Sequence, residues 1–114
     1  MNGDAEIRWM GDAKEVLSGF PQAIKGALGF SLRRIQQGFA PLCEARRMES
    51  IGEGVWELKA ADDKTWYRVI YLARIGNRIY VLHAFEKSSR KTDRRDLNIA
   101  NARLKQVYKE LRDS

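Results

Sequence analysis

The sequence predicts an α+β domain: a small antiparallel sheet preceded by a pair of helices and followed by one more. Three observations carry this. The segments Tyr67-Arg68-Val69-Ile70-Tyr71 and 80–87 are apolar and flank a Gly76-Asn77 turn, a short-range hairpin signal. Ahead of them Phe20, Ile24, Ala27, Leu28, Ser31 and Ile35 recur at helical spacing. Behind them Leu97, Ala100, Leu104, Val107, Tyr108 and Leu111 form a second helical stripe.

Taken in order, residues 6–10 alternate, with Ile7 and Trp9 on one side of a short strand that Gly11 ends. Asp12 stands where it caps a helix, and Glu15 completes a capping-box spacing. Val16 and Leu17 are that helix's apolar side, and Ser18-Gly19 closes it. Pro21 suits the first turn of a second helix and Gly38 its C-terminal stop, so the two make an αα-hairpin. Residues 39–54, with Pro41, Cys43, Arg46-Arg47, Gly52 and Gly54, read as a connection holding a short strand near Arg47-Met48. In the strand over 55–61, Trp56, Leu58 and Ala60 face one way and Val55, Glu57 and Lys59 the other. Asp62-Asp63-Lys64 is a turn, and strands over 65–75 and 78–87 follow. Thr92 or Asp93 caps the last helix, with Asp96 placed to favour its N-terminal dipole. No repeat interrupts the chain, and residues 1–114 read as a single domain.

The hydrophobic fraction of 44% is enough for a core and excludes a disordered chain. A formal net charge of +6 favours an anionic partner, either nucleic acid or an acidic protein. Cys43 is the single cysteine, so an intrachain disulfide is excluded. One cysteine and one histidine do not make an ordinary zinc site, and no metal or cofactor is expected. The first residues lack a basic-then-apolar leader and no apolar run approaches membrane length, so the expectation is a cytoplasmic protein with no membrane partner.

The hairpin places chemistry on one face. With Gly76-Asn77 as the loop, Ile70 lies opposite His83 and Arg68 opposite Phe85, and Arg68, His83, Phe85 and Lys87 share a side. A loop of Asp62-Asp63 in the preceding hairpin sets Lys59 against Trp66 and Glu57 against Arg68; a loop one residue longer moves Lys59 and Glu57 to the other side. Cations on a strand hold a phosphate and stabilise the charge of its transition state, and an aromatic ring stacks an unpaired base. The same residues also allow a plain ion pair of Arg68 with Glu57 above a Phe85 in the core. His83, Glu57 and Glu86 are candidate general acids or bases. Arg90, Lys91, Arg94 and Arg95 extend the basic character into the last helix, and Arg46-Arg47 adds a second basic pair.

The ordered set Trp9-Met10-Gly11, Phe20-Pro21, Ala27-Leu28-Gly29-Phe30-Ser31-Leu32, Gln36-Gln37-Gly38, Gly54-Val55-Trp56-Glu57-Leu58, Tyr67-Arg68-Val69-Ile70-Tyr71, 80–87 and Lys91-Thr92 resembles the phage-derived, HigB-like branch of the RelE/ParE toxin superfamily over nearly the whole chain. The resemblance implies a RelE-like fold and the toxin of a type II toxin–antitoxin system. It implies a metal-independent endoribonuclease that inhibits translation by cleaving mRNA on the ribosome, through attack of a ribose 2′-hydroxyl on the adjacent phosphate. A cognate antitoxin, often a helix-turn-helix protein, would hold it inactive and link it to operator DNA. On this resemblance Arg68 matches the strand arginine, Lys59 stands where many relatives carry arginine, and Phe85 and Lys87 fall at the active-site strand end, with Arg46, Arg47, Arg90, Lys91, Arg94 and Arg95 on ribosomal RNA. Ser88-Ser89 and Asp93 depart from the relatives' usual Lys-Thr and Pro. Two rival readings stand beside it: a ParE-like, non-enzymatic inhibitor of a topoisomerase, and an inactive phage-derived module that only binds an antitoxin.

Overall fold

The computed structural model describes residues 3–87 and 92–113. It contains β1 (Glu6–Trp9), α1 (Ala13–Ser18), α2 (Gln22–Gln36), β2 (Glu44–Arg47), β3 (Val55–Ala61), β4 (Trp66–Ile75), β5 (Arg78–Lys87) and α3 (Arg94–Asp113). The architecture is the expected α+β one, in a single sheet of order β1-β5-β4-β3-β2. Strands β2 to β5 form an antiparallel meander. β1 joins its far edge in parallel with β5, from Glu6 opposite Arg78 to Trp9 opposite Val81. Parallel neighbours need a long crossover, and here the helix pair and the rest of the meander supply it.

Alternation divides the core in two. Leu58, Val69, Tyr71, Ile79, Val81 and Ala84 pack against Leu17, Phe20, Ile24, Leu28 and Leu32 of the helix pair. On the other face Val55, Ile70, Leu72, Tyr80, Leu82 and Phe85 pack against Ala100, Leu104 and Val107 of α3. Ala27, expected in the α2 stripe, is exposed, and Leu32 takes an inward place. Tyr108, expected in the α3 stripe, is 38% exposed.

The β4–β5 register holds at the positions that matter. Ile75 pairs with Arg78, Ile70 with His83 and Arg68 with Phe85. Between them the register slips once on each strand, in opposite senses, and the two slips cancel. The second puts both Leu82 and His83 on the α3 side. The β3–β4 loop differs from the two-residue expectation and spans 62–65, with Ala61 opposite Trp66. Its cause is Asp62, whose carboxylate accepts from the amides of Lys64 and Thr65 and is held below the usual carboxylate range by those bonds. Register moves by two places, so Lys59 stands opposite Arg68 and Glu57 opposite Ile70, with the faces unchanged.

Asp12 does not cap α1 with its side chain. Its carboxylate accepts instead from Arg103 Nη2 of α3, at 3.0 Å. The Arg103 guanidinium passes so close to Gly11 that a Cβ there would lie 2.4 Å away, and Gly11 has φ +55. Glycine satisfies both conditions at once.

Candidate functional site

Alternation along β3 and β4 sends Glu57, Lys59, Trp66 and Arg68 to the α3 face of the sheet. At the centre is a closed polar ring. Arg68 Nη1 donates to Glu57 Oε1 at 3.1 Å and to Thr92 Oγ1 at 3.0 Å, and the Thr92 hydroxyl donates to Glu57 Oε2 at 2.9 Å. Both charged side chains are fully buried. Arg46 closes over the same carboxylate from β2, its Nη2 3.5 Å from Glu57 Oε1, with about half of its side chain in solvent. Glu57 therefore links an internal cation to one on the surface.

Above this ring runs an open groove of about 960 Å³. One wall is β2 and the turn after it, from Arg46 to Ile51, and the other is the first half of α3. Lys59 and Thr92 also line it, and Arg94, Leu97, Asn98 and Asn101 project from the helix at spacings that share a side. Four cations, Arg46, Arg47, Lys59 and Arg94, line the groove with one carboxylate, Glu49; Glu57 and Glu44 at its margin pair with Arg46 and Lys59, and the remaining excess of positive charge favours an anion. Lys59 Nζ is held 3.1 Å from Glu44 and 5.6 Å over the Trp66 ring. Lys87 is the strand partner of Trp66 and forms an ion pair with Asp93. Trp66 thus has the Lys59 ammonium over its ring and Lys87 as its neighbour across the strands at the end of the sheet.

The expected site is partly brought together. Lys59, Arg46, Arg47 and Arg94 line the groove. Arg95 is exposed on α3 outside that lining. Arg90 and Lys91, with Ser88 and Ser89, lie outside the described residues. Three expectations need correction. Arg68, expected open to a phosphate, has no solvent-accessible side-chain surface: it is held by Thr92 in the lead-in to α3, and Glu57 neutralises it. Phe85, expected to stack a base, is 7% exposed, and its ring stacks on His83 with centroids 4.9 Å apart. Glu86 alternates onto the opposite face and is remote from the groove.

His83 is equally committed. Its Nε2 lies 2.8 Å from Asp96 Oδ1 and its Nδ1 3.4 Å from Arg103 Nη1. A carboxylate only accepts and a guanidinium only donates, which assigns the proton of a neutral ring to Nε2. Arg103 also donates to the Leu82 carbonyl at 2.9 Å. The histidine belongs to the clamp that seats α3. Glu57 is committed as well, accepting from Arg68 and Thr92 and paired with Arg46.

Reading by sequence alone missed Thr92, Glu49, Asn98, Asn101 and the role of Trp66. Trp66 was legible, since it precedes Arg68 by two and shares its face. The asparagines follow Arg94 at helical spacing, a polar strip beside the apolar one. Glu49 carries no local signal, because it reaches the groove through the turn after β2.

Comparison with curated proteins gives no match. Comparison with protein families gives one that spans residues 15–105, from within α1 to within α3, and so takes in every residue of the groove. No described helix is long and apolar enough to cross a membrane. The chain belongs to the phage-derived Gp49-like protein family (DUF891), a family associated with toxin–antitoxin systems.

Proposed function

We propose that this protein is the toxin of a toxin–antitoxin pair and a metal-independent endoribonuclease that grips mRNA on the ribosome in the groove between β2 and α3. The observation that carries the reading is the convergence of Arg46, Arg47, Lys59 and Arg94 on one open channel, in excess of the carboxylates Glu49, Glu57 and Glu44 beside them. An RNA backbone is the anion that matches such a channel, because successive phosphates are met by successive cations.

The reaction is a transesterification. The ribose O2′ forms a bond to phosphorus as the P–O5′ bond breaks, leaving a 2′,3′-cyclic phosphate and a 5′-hydroxyl. One proton leaves O2′ and one arrives at O5′, so no further reactant is consumed. Lys59 and Arg46 neutralise the scissile phosphate and the charge that grows on it, and each such contact contributes on the order of 10²–10³ in rate in comparable sites. Glu49 is the groove carboxylate able to take the O2′ proton, and the Lys59 ammonium returns one to O5′. Trp66, with Lys59 over its ring, offers a face for a base. Arg68 serves from beneath, fixing Glu57 and through it Arg46. A cognate helix-turn-helix antitoxin restrains the toxin and carries the pair to operator DNA.

The burial of Arg68 and Phe85 favours a second reading, a non-enzymatic ParE-like inhibitor of a topoisomerase that uses the same basic surface for binding alone. Induced expression with mapping of mRNA 5′ ends and of the DNA-damage response separates the two. New ends within translated messages are expected. A damage response over intact mRNA would select the topoisomerase inhibitor, and undisturbed growth would leave only an antitoxin-binding module.

A further inference from the structure

The strongest apolar exposure lies on the other side of the sheet from the groove. Phe30 is 53%, Phe39 58% and Leu42 68% exposed, unusual for large apolar side chains gathered in one place. Local contacts gather them. The Arg34 guanidinium lies 5.5 Å over the Phe39 ring and its Nε donates to the Ala40 carbonyl at 2.7 Å, while Phe30 sits one turn earlier on the same helix. The Cys43 amide donates to Ser31 Oγ at 3.0 Å and its Sγ to the Ala27 carbonyl at 3.4 Å, which lays Leu42 along that helix as well.

The patch continues as a helical stripe. Ala23, Gly26, Ala27 and Phe30 stand at i, i+3, i+4 and i+7 of α2, and all four are exposed. A Cβ added at Gly26 or at Gly29 would meet nothing within 4 Å. Glycine inside a helix is less favourable than alanine, so these two weaken α2 with no internal packing that requires them. A flat lane of this kind lets a second helix approach closely. The charge beside the stripe is basic: Arg34 shares its side and Arg33 flanks it, α2 has neither Asp nor Glu, Arg33 meets Asp4 at 2.8 Å, and Lys25 lies off this side with its ammonium on the Ser18 carbonyl.

We infer that this face of α2 is the docking site of the antitoxin, and that the segment seated there is an amphipathic helix with small and apolar residues along its contact line and acidic residues on its flanks. The inference rests on the toxin–antitoxin reading for the existence of a partner, and not on the nuclease.

The test uses the full chain and, as the probe, the small protein encoded by the adjacent reading frame, with the dissociation constant measured by calorimetry. Phe30→Lys combined with Leu42→Lys is expected to weaken binding at least 100-fold, and Arg34→Glu about 10-fold. Gly26→Gln is expected to raise the melting temperature of the free chain while weakening the complex at least 10-fold, a combination that unfolding does not produce. Arg46→Ala in the groove is expected to change affinity less than twofold. The docking site is overturned if the patch variants bind like wild type, if the adjacent product does not bind, or if the free chain sediments as a dimer that Phe30→Lys dissolves, since the occupant is then a second copy. Growth arrest by wild type reports the toxin reading separately. A harmless chain that loses its partner through the patch keeps the docking site, and a toxic chain whose patch variants hold their partner loses it.

Discussion

The two faces of the sheet are made from the same strands and both bury an apolar cluster, but they differ in the charge they bury with it. Toward α1 and α2 the contact is apolar, with Leu28, Leu58, Val69 and Val81 all but inaccessible, and Ser31 is the buried polar residue there. Toward α3 the sheet buries Glu57, Arg68 and His83. Each is tied to that helix or its lead-in: Glu57 and Arg68 to Thr92, and His83 to Asp96 and Arg103. Apolar packing is non-directional and tolerates small displacement, whereas hydrogen-bonded charges fix distance and angle. Both apolar clusters hold the fold together. The α3 side sets where one wall of the groove stands.

The sharpest way to break this contrast is Arg68→Ala. It strands the Glu57 carboxylate in the interior, with a loss of about 3–5 kcal/mol expected in urea denaturation. Arg68→Met with Glu57→Leu removes both charges and is expected to recover most of that loss while displacing Arg46 and lowering activity. Leu28→Ala on the other face costs a comparable amount, about 2–5 kcal/mol, with no partner substitution that restores it.

Substitution at Tyr71 isolates one alkaline titration on the α2 side. Burial pushes the Tyr71 phenol up to about 12. A folded-state value above the unfolded one, near 10, means that the native state keeps its proton longer. The stabilisation is therefore whole below about pH 10 and lost as pH rises toward 12, by about 3 kcal/mol in all. Tyr71→Phe is expected to make the fall of the denaturation midpoint across that range shallower than in wild type, the remainder including Tyr67, whose phenol burial also raises.

Asp96→Ala tests the clamp on His83. It leaves the Nε2 proton without its acceptor, and a loss of about 1–3 kcal/mol is expected in thermal melts. The smallest effect on stability belongs to the groove wall. Arg94→Ala is expected to leave stability within about 0.5 kcal/mol of wild type, yet to lower the salt slope of RNA binding by about 1.

These contrasts mark what a sequence displays. The Arg68–Phe85 pairing followed from Gly76-Asn77, and it survived two slips because they oppose each other. Facing was legible in β3 even though the loop was longer than expected, since a shift of two residues preserves alternation. The partner of β1 was not legible, because Glu6 meets Arg78 across most of the chain and no local pattern encodes that pairing. Nor was the depth of Arg68. Periodicity says which side a residue faces and not how deeply it is buried there, and here the lead-in to α3 brings Thr92 onto the arginine while leaving Lys59 at the groove. The cations of the site were readable as residue types; the division between internal brace and working surface came only with the docking of α3.

The central claim, that the groove cations act on RNA while the arginine beneath them is a brace, is tested most directly by mapping mRNA ends in cells expressing the Arg46→Ala, Lys59→Ala double variant at wild-type levels. A melting temperature within a few degrees of wild type is expected, together with loss of the new 5′ ends. Ends that persist at wild-type frequency in the folded double variant would contradict it.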